Sequence, residues 1–226
     1  MSETRRSYDE QLNEIRDDVV RIAARVCETI GAATESLLAG DLTAVDRVYQ
    51  DRREVLEAGS TVEQRTYQLL ALQQPMAADL RTLLAVLRIL HEIELTSGLM
   101  RNVARATRRL YPHELAPRIR GIVERMGNQA TVQLRLAIEA FSNLNVNVSA
   151  ALPDMDDVMD DLQKELFRAI FALGAPDESA LQRAVQISFV GRDYERAADH
   201  AVTIGRWVDF MVTGVMPGSE SADTTS

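Results

Sequence analysis

Glu195 and Asp199 stand four residues apart in the stretch from Val190 to Asp209, so on a helix both carboxylates leave on the same side. They lie at the edge of an apolar stripe, not opposite it. Val190, Tyr194, Ala197, Ala201, Ile204, Val208 and Met211 recur at spacings of three and four and draw that stripe. Two like charges at this spacing cost roughly 0.2–0.5 kcal/mol on a bare helix. Compensation has to come from Arg192, Arg196, His200 or a cation that is not part of the chain. His200 is one residue past Asp199 and points about 100° round the helix, which favours a place beside the acids over direct ligation. Gly191, Ala197, Ala198, Ala201 and Gly205 are small, so neighbouring helices can come close.

The rest of the chain must supply those neighbours. A first helix is expected from about Tyr8 to Ala39, with Ile15, Val19, Ile22, Val26, Ile30, Ala33 and Leu37 inward. Gly40 ends it, and Asp41 is an N-cap for the next, Leu42 to Leu72. Pro75 suits the opening of a third helix that runs to about Leu110 through Leu80, Leu83, Leu84, Leu87 and Leu90. Tyr111-Pro112 breaks it. A second trio follows: Pro117 to Leu144, then a helix opened by Pro153 and ending near Leu173-Gly174, then one opened by Pro176 and running to about Val215. The expected turn before Pro153 carries Asn143, Asn145 and Asn147.

The fold class is therefore all-α: six long helices as two tandem three-helix bundles, a pseudo-repeat. Pro75 and Pro176 are 101 residues apart, as are Glu94 and Glu195, and at that offset Val103 meets Ile204. The expected units are 1–112, 113–216 and a small polar tail, 217–226, that is disordered.

Composition narrows the function. A net charge of −9 repels phosphate backbones, which sets nucleic acid aside as a general partner. Cys27 is the single cysteine, so no internal disulfide forms, and its apolar neighbours mark a buried structural thiol. Neither a signal-peptide segment nor a run of eighteen apolar residues is read, so the expected location is cytoplasmic. There is no Walker A sequence, nucleophile elbow, CxxC or HExxH, and no Glu-x-x-His of the kind that ferritin-like dimetal oxidases use. The chain reads as a non-enzyme.

Three blocks carry a resemblance: ALQQPMAADLR from Ala71 to Arg81, the Leu87 to Glu94 segment, and YERAADHAVTI from Tyr194 to Ile204. Together with the two-repeat layout they resemble the PhoU family over nearly the whole chain. The resemblance implies a negative regulator of the phosphate-starvation response and a modulator of phosphate uptake. Such a protein is an adaptor between the ATPase subunit of a phosphate ABC transporter and a sensor histidine kinase. It also implies a homodimer that meets the membrane only through those partners, and carboxylate motifs that bind metal, including iron clusters in some members.

Carried over by position, the metal ligands are Glu195 and Asp199 with Asp156 and Asp160 from the neighbouring helix. Four oxygen donors suit Mg²⁺, Mn²⁺, Ca²⁺ or iron. The first repeat departs from the pattern: it keeps Glu94, but Gly98 stands where the second Asp belongs and Val55 near where a partner acid is expected, with Asp51 the one candidate left. The competing reading of the acids is ordinary solvated carboxylates, since Asp154, Asp156 and Asp157 follow Pro153 at a helix N-terminus. The matching alternative for function is a helical interaction module with no metal and no tie to phosphate.

Arg101, Arg105, Arg108 and Arg109 form a basic patch on an acidic protein. It reads as a solvated face paired with local acids, or as a docking surface for an acidic partner protein. Trp207, Phe210 and Met211 read as core, with contact to a partner or a membrane surface as the alternative.

Overall fold

The computed structural model describes residues 3–73 and 77–218. Pro75, and residues 219–226 of the expected tail, lie outside the described residues. Seven helical elements follow one another: α1 Glu3–Ala39, α2 Leu42–Gln73, α3 Ala78–Leu110, α4 Pro117–Asn143, the single turn α5 Val146–Ser149, α6 Leu152–Leu173 and α7 Glu178–Thr213.

The breaks have local causes. Gly40 takes φ 65° and closes α1. The Asp41 carboxylate then accepts from the backbone N–H groups of Thr43 (2.8 Å) and Ala44 (3.2 Å), which caps α2 as expected. α4 opens with Pro117 in its first turn, where a missing N–H costs nothing, and ends at Leu144 in the left-handed region, φ 52°. The Asn-rich turn is more ordered than the sequence suggests. Asn145 Oδ1 accepts from Asn147 N and Val148 N and so caps the extra turn α5. Pro176 does not open the last helix. That helix starts at Glu178, and its cap is Asp177, whose carboxylate accepts from Ala180 N at 2.7 Å. The side-chain cap outcompetes proline's preset φ because it satisfies an otherwise bare donor.

α1, α2 and α3 form one bundle, and α4, α6 and α7 the other. They lie side by side, α3 against α7 and α1 against α4. Those four helices make an inner layer. α2 packs on α1 and α3, α6 on α4 and α7, and each is an outer rod. The buried side chains form one continuous cluster across both bundles. The inward stripes of α1 and α7 are buried as their spacing predicts, with Val19, Val26, Ile30, Tyr194 and Ala201 fully enclosed. α3 differs in detail: Leu83 and Leu90 are buried, but Leu80 and Leu84 are exposed.

Small residues sit where helices close up. A side chain at Gly191 would meet Leu166 of α6, and one at Gly205 would meet Leu152 and Ser149. Gly127 of α4 faces Thr34 of α1. Thr34 donates its hydroxyl to the Ile30 carbonyl at 2.7 Å and lies 2.7 Å from the Tyr194 hydroxyl. Having spent its one proton, Thr34 is the acceptor there, and the fully buried Tyr194 the donor. Trp207 meets Phe210 edge-on at 5.5 Å; Phe210 and Met211 are buried in the core, whereas Trp207 is half-buried and packs against its edge.

Candidate metal centre

One outer-to-inner helix contact, α6 on α7, carries the acids. α6 presents Asp156 and Asp160, one turn apart, toward α7. There Glu195 follows the buried Tyr194, and Asp199 lies one turn further on. Asp156, Asp160 and Glu195 are half-buried and Asp199 is exposed. Their charges reach one another. Burial lifts the Asp156 carboxyl above its ordinary range, Asp199 and Asp160 lift it further, and the neighbouring Gln133 amide pulls it back. Burial likewise raises Glu195, with Asp199 and Asp160 adding to the effect and Arg192 opposing it. Asp161 instead pairs with Lys164 at 2.9 Å.

A fifth residue joins them from α4. Gln133 is completely buried, and neither of its amide atoms has a hydrogen-bond partner. It lies close enough to Asp156 to affect it, yet Asp156 Oδ1 is also buried without a partner. Bare buried polar atoms cost free energy unless something satisfies them. Four carboxylates and an amide carbonyl match a hard or borderline cation in donor type. Among the described residues, however, no group of three or more His, Cys, Asp or Glu side chains is arranged to hold a metal ion as it stands. In the sequence Gln133 is marked only as a polar residue on the stripe of Met126, Ala130, Leu134 and Ala137, all of which are buried.

His200 is turned to the seam between the bundles. Its Nδ1 meets the Glu92 carboxylate of α3, with both side chains more than four-fifths buried, and its Nε2 is buried without a partner. Asp193 faces the same seam. Burial pushes its carboxyl up to about 6, against the opposing effects of Asn102 and Arg196.

The first repeat is built differently. Asp51 pairs with Arg25 of α1 at 3.4 Å. Glu94 lies over Gly59, and its carboxyl is raised by burial and by Glu63 while His91 and Arg52 lower it. Arg52 reaches across from α2 and donates through Nη1 to Ser97 Oγ at 3.0 Å and to the Glu94 carbonyl at 3.3 Å.

The four arginines do not share one free face. Arg101 is half-buried near Arg52. Arg108 pairs with Asp46 and lies over the Tyr49 ring at 5.2 Å, whereas Arg109 donates to Gln186 of α7 at 3.0 Å. Arg105 is exposed.

Comparison with known proteins fits this architecture. The PhoU domain model matches twice, at residues 19–107 and 123–208. The chain is 31% identical over 218 residues to the phosphate-specific transport system accessory protein PhoU homolog 1 of Mycobacterium tuberculosis, covering 96% of this chain and 98% of that one. It is also 31% identical over 214 residues to PhoU homolog 2 of the same organism, covering 94% and 100%. The crystal structure of PhoU from Pseudomonas aeruginosa superimposes with a TM-score of 0.86 at 22% identity, over 92% of this chain and all of that one. That of the phosphate transport system regulatory protein PhoU from Streptococcus pneumoniae gives 0.84. Two domain matches in tandem and relatives aligned from end to end make this chain a member of the PhoU family, a non-enzymatic family of accessory proteins.

Proposed function

We propose that the chain is the accessory regulator of a phosphate transport system, restraining the phosphate-starvation response when phosphate is ample. Its partners in this reading are the transporter's ATPase subunit and a sensor histidine kinase, and it acts in the cytoplasm as a homodimer. The observation that carries the proposal is the end-to-end match to accessory proteins of phosphate-specific transport. Support comes from the absence, among the described residues, of any helix long and apolar enough to cross a membrane. An adaptor of this kind must bind at least one partner with different affinity in two states. The exposed Arg105 is the member of the basic patch best placed to meet an acidic partner. Deleting the gene in its host is the test: derepression of phosphate-starvation genes in rich phosphate supports the proposal, and unaltered expression removes it.

Asp156, Asp160, Glu195 and Asp199 are the proposed metal ligands, with the Gln133 carbonyl as a fifth donor. A bound Mg²⁺, Mn²⁺ or iron would supply positive charge among crowded acids and so fasten α6 to α7. Meanwhile Arg192 screens Glu195. A second reading, a metal-free interaction module, is favoured by the acids' not forming a ready-made holding group. Melting curves of the wild type and of Glu195→Gln with Asp199→Asn, each with and without metal, separate the two. A metal-induced rise lost in the variant supports ligation, and an unchanged rise refutes it.

A further inference from the structure

Four positions of the proposed metal centre have counterparts 101 residues earlier: Asp156 at Val55, Asp160 at Gly59, Glu195 at Glu94 and Asp199 at Gly98. The helices keep nearly the same register, since α3 and α7 begin 100 residues apart. Three of the four acids are thus missing from the first repeat, and the space they vacate is filled. A Cβ at Gly59 would stand 2.1 Å from Glu94 Oε1, and one at Gly98 would stand 3.0 Å from Arg52 Nη1. The Glu94 carboxylate lies where the counterpart of Asp160 would project. The Arg52 guanidinium lies where the counterpart of Asp199 would project.

Arg52 has no business in that seam on hydrophobic grounds. Val48, Val55, Val62 and Leu69 form one buried row of α2, and Val45, Gly59 and Thr66 are buried in the adjacent row at the same seven-residue spacing. Arg52 is the charged residue in that second row. Its head group finds a carbonyl, a hydroxyl and a nearby carboxylate, all on α3. A planar, permanently charged fork with several donors suits such a place better than a solvated ion.

We propose that Arg52 is the resident cation of the first repeat: its guanidinium fastens α2 to α3 at the position where the second repeat is built to take a metal, and so closes the first repeat to metal. One fold thereby holds a permanently fastened bundle and a conditionally fastened one. Metal then acts on the second bundle alone. The comparison rests on the metal reading of the second repeat, but the role of Arg52 is tested without it.

The experiment uses the full chain in four forms: wild type, Arg52→Met, Arg52→Lys, and Glu195→Gln with Asp199→Asn. Melting temperature is read in chelator and in Mn²⁺, and bound metal is counted by elemental analysis. Arg52→Met is expected to lower the melting temperature equally in chelator and in Mn²⁺, with Arg52→Lys recovering most of the loss because it keeps the charge. The double acid variant is expected to bind no metal. Three results overturn the proposal: no destabilisation in Arg52→Met, equal destabilisation in Lys and Met, or metal retained by the double acid variant until Glu94→Gln removes it. A wild type that takes up no metal refutes the second-repeat reading, and the Met and Lys variants still decide the role of Arg52.

Discussion

The seam between α1 and α4 offers a sharp test because its geometry fixes both sign and coupling. In Gly127→Ala the new methyl would stand 2.4 Å from Thr34 Oγ1, 2.7 Å from its Cγ2 and 3.1 Å from its Cβ. Thr34 cannot swing away cheaply, since its hydroxyl is held by the Ile30 carbonyl and by the Tyr194 hydroxyl. Overpacking of this kind costs about 1–3 kcal/mol, against about 1 kcal/mol gained by replacing glycine within a helix. The net expectation is a loss of up to about 2 kcal/mol. For a chain of this size that lowers the melting temperature by up to about 8 °C. Thr34→Ala alone strips the partner from a fully buried tyrosine hydroxyl, at about 1–3 kcal/mol. The two changes together do not add. Without the threonine hydroxyl and methyl the new alanine faces only a Cβ, so the clash largely vanishes and the helical gain returns. Gly127→Ala is therefore damaging in the wild type and neutral or stabilising beside Thr34→Ala, a coupling of at least about 1 kcal/mol. Urea or guanidinium unfolding of the four proteins measures it. Additivity within about 0.5 kcal/mol refutes the contact.

Asp193 gives a pH prediction. Its carboxyl titrates near 6 in the fold, against about 3.9 when unfolded. The folded chain thus holds this proton more tightly, and the group's contribution to stability falls as pH rises from about 4 to about 6, then levels off. Asp193→Asn should flatten that part of the stability profile and raise stability at pH 7–8; parallel wild-type and variant profiles between pH 4 and 7 would count against it. Cys27 is buried, and burial pushes its thiol up to about 11, with Arg135 opposing. Thiol reagents at pH 8 should leave it unlabelled in the native protein and label it fully once unfolded. Rapid stoichiometric labelling of the native protein would show that the site is open.

Much of the fold is legible because its signals are local. The stripe from Ile15 to Leu37 needs only the 3.6-residue period, and Gly40 followed by Asp41 ends one helix and starts the next in two residues. The pairing of Glu195 with Asp199 is legible for the same reason. What the sequence hid depends on distant partners. Glu92 and His200 are 108 positions apart, and no spacing rule joins them. Gln133 looks like a surface glutamine until the apolar residues around it are seen to be buried. Arg52 looks like one more charge on an outer helix, and only the glycines at 59 and 98 reveal that room was kept for it and for Glu94. Pro176 misled because proline marks a helix start only loosely, and the aspartate beside it caps better.

The inner layer of α1, α3, α4 and α7 has one further consequence. Each of these helices is braced by both bundles or across the seam, whereas α2 and α6 each lean on a single bundle. Detaching an outer rod leaves that slab intact, and separating the two inner pairs does not. Motion that carries a signal therefore costs least at the periphery, and a change there can alter the outline offered to a partner while the interior keeps its shape.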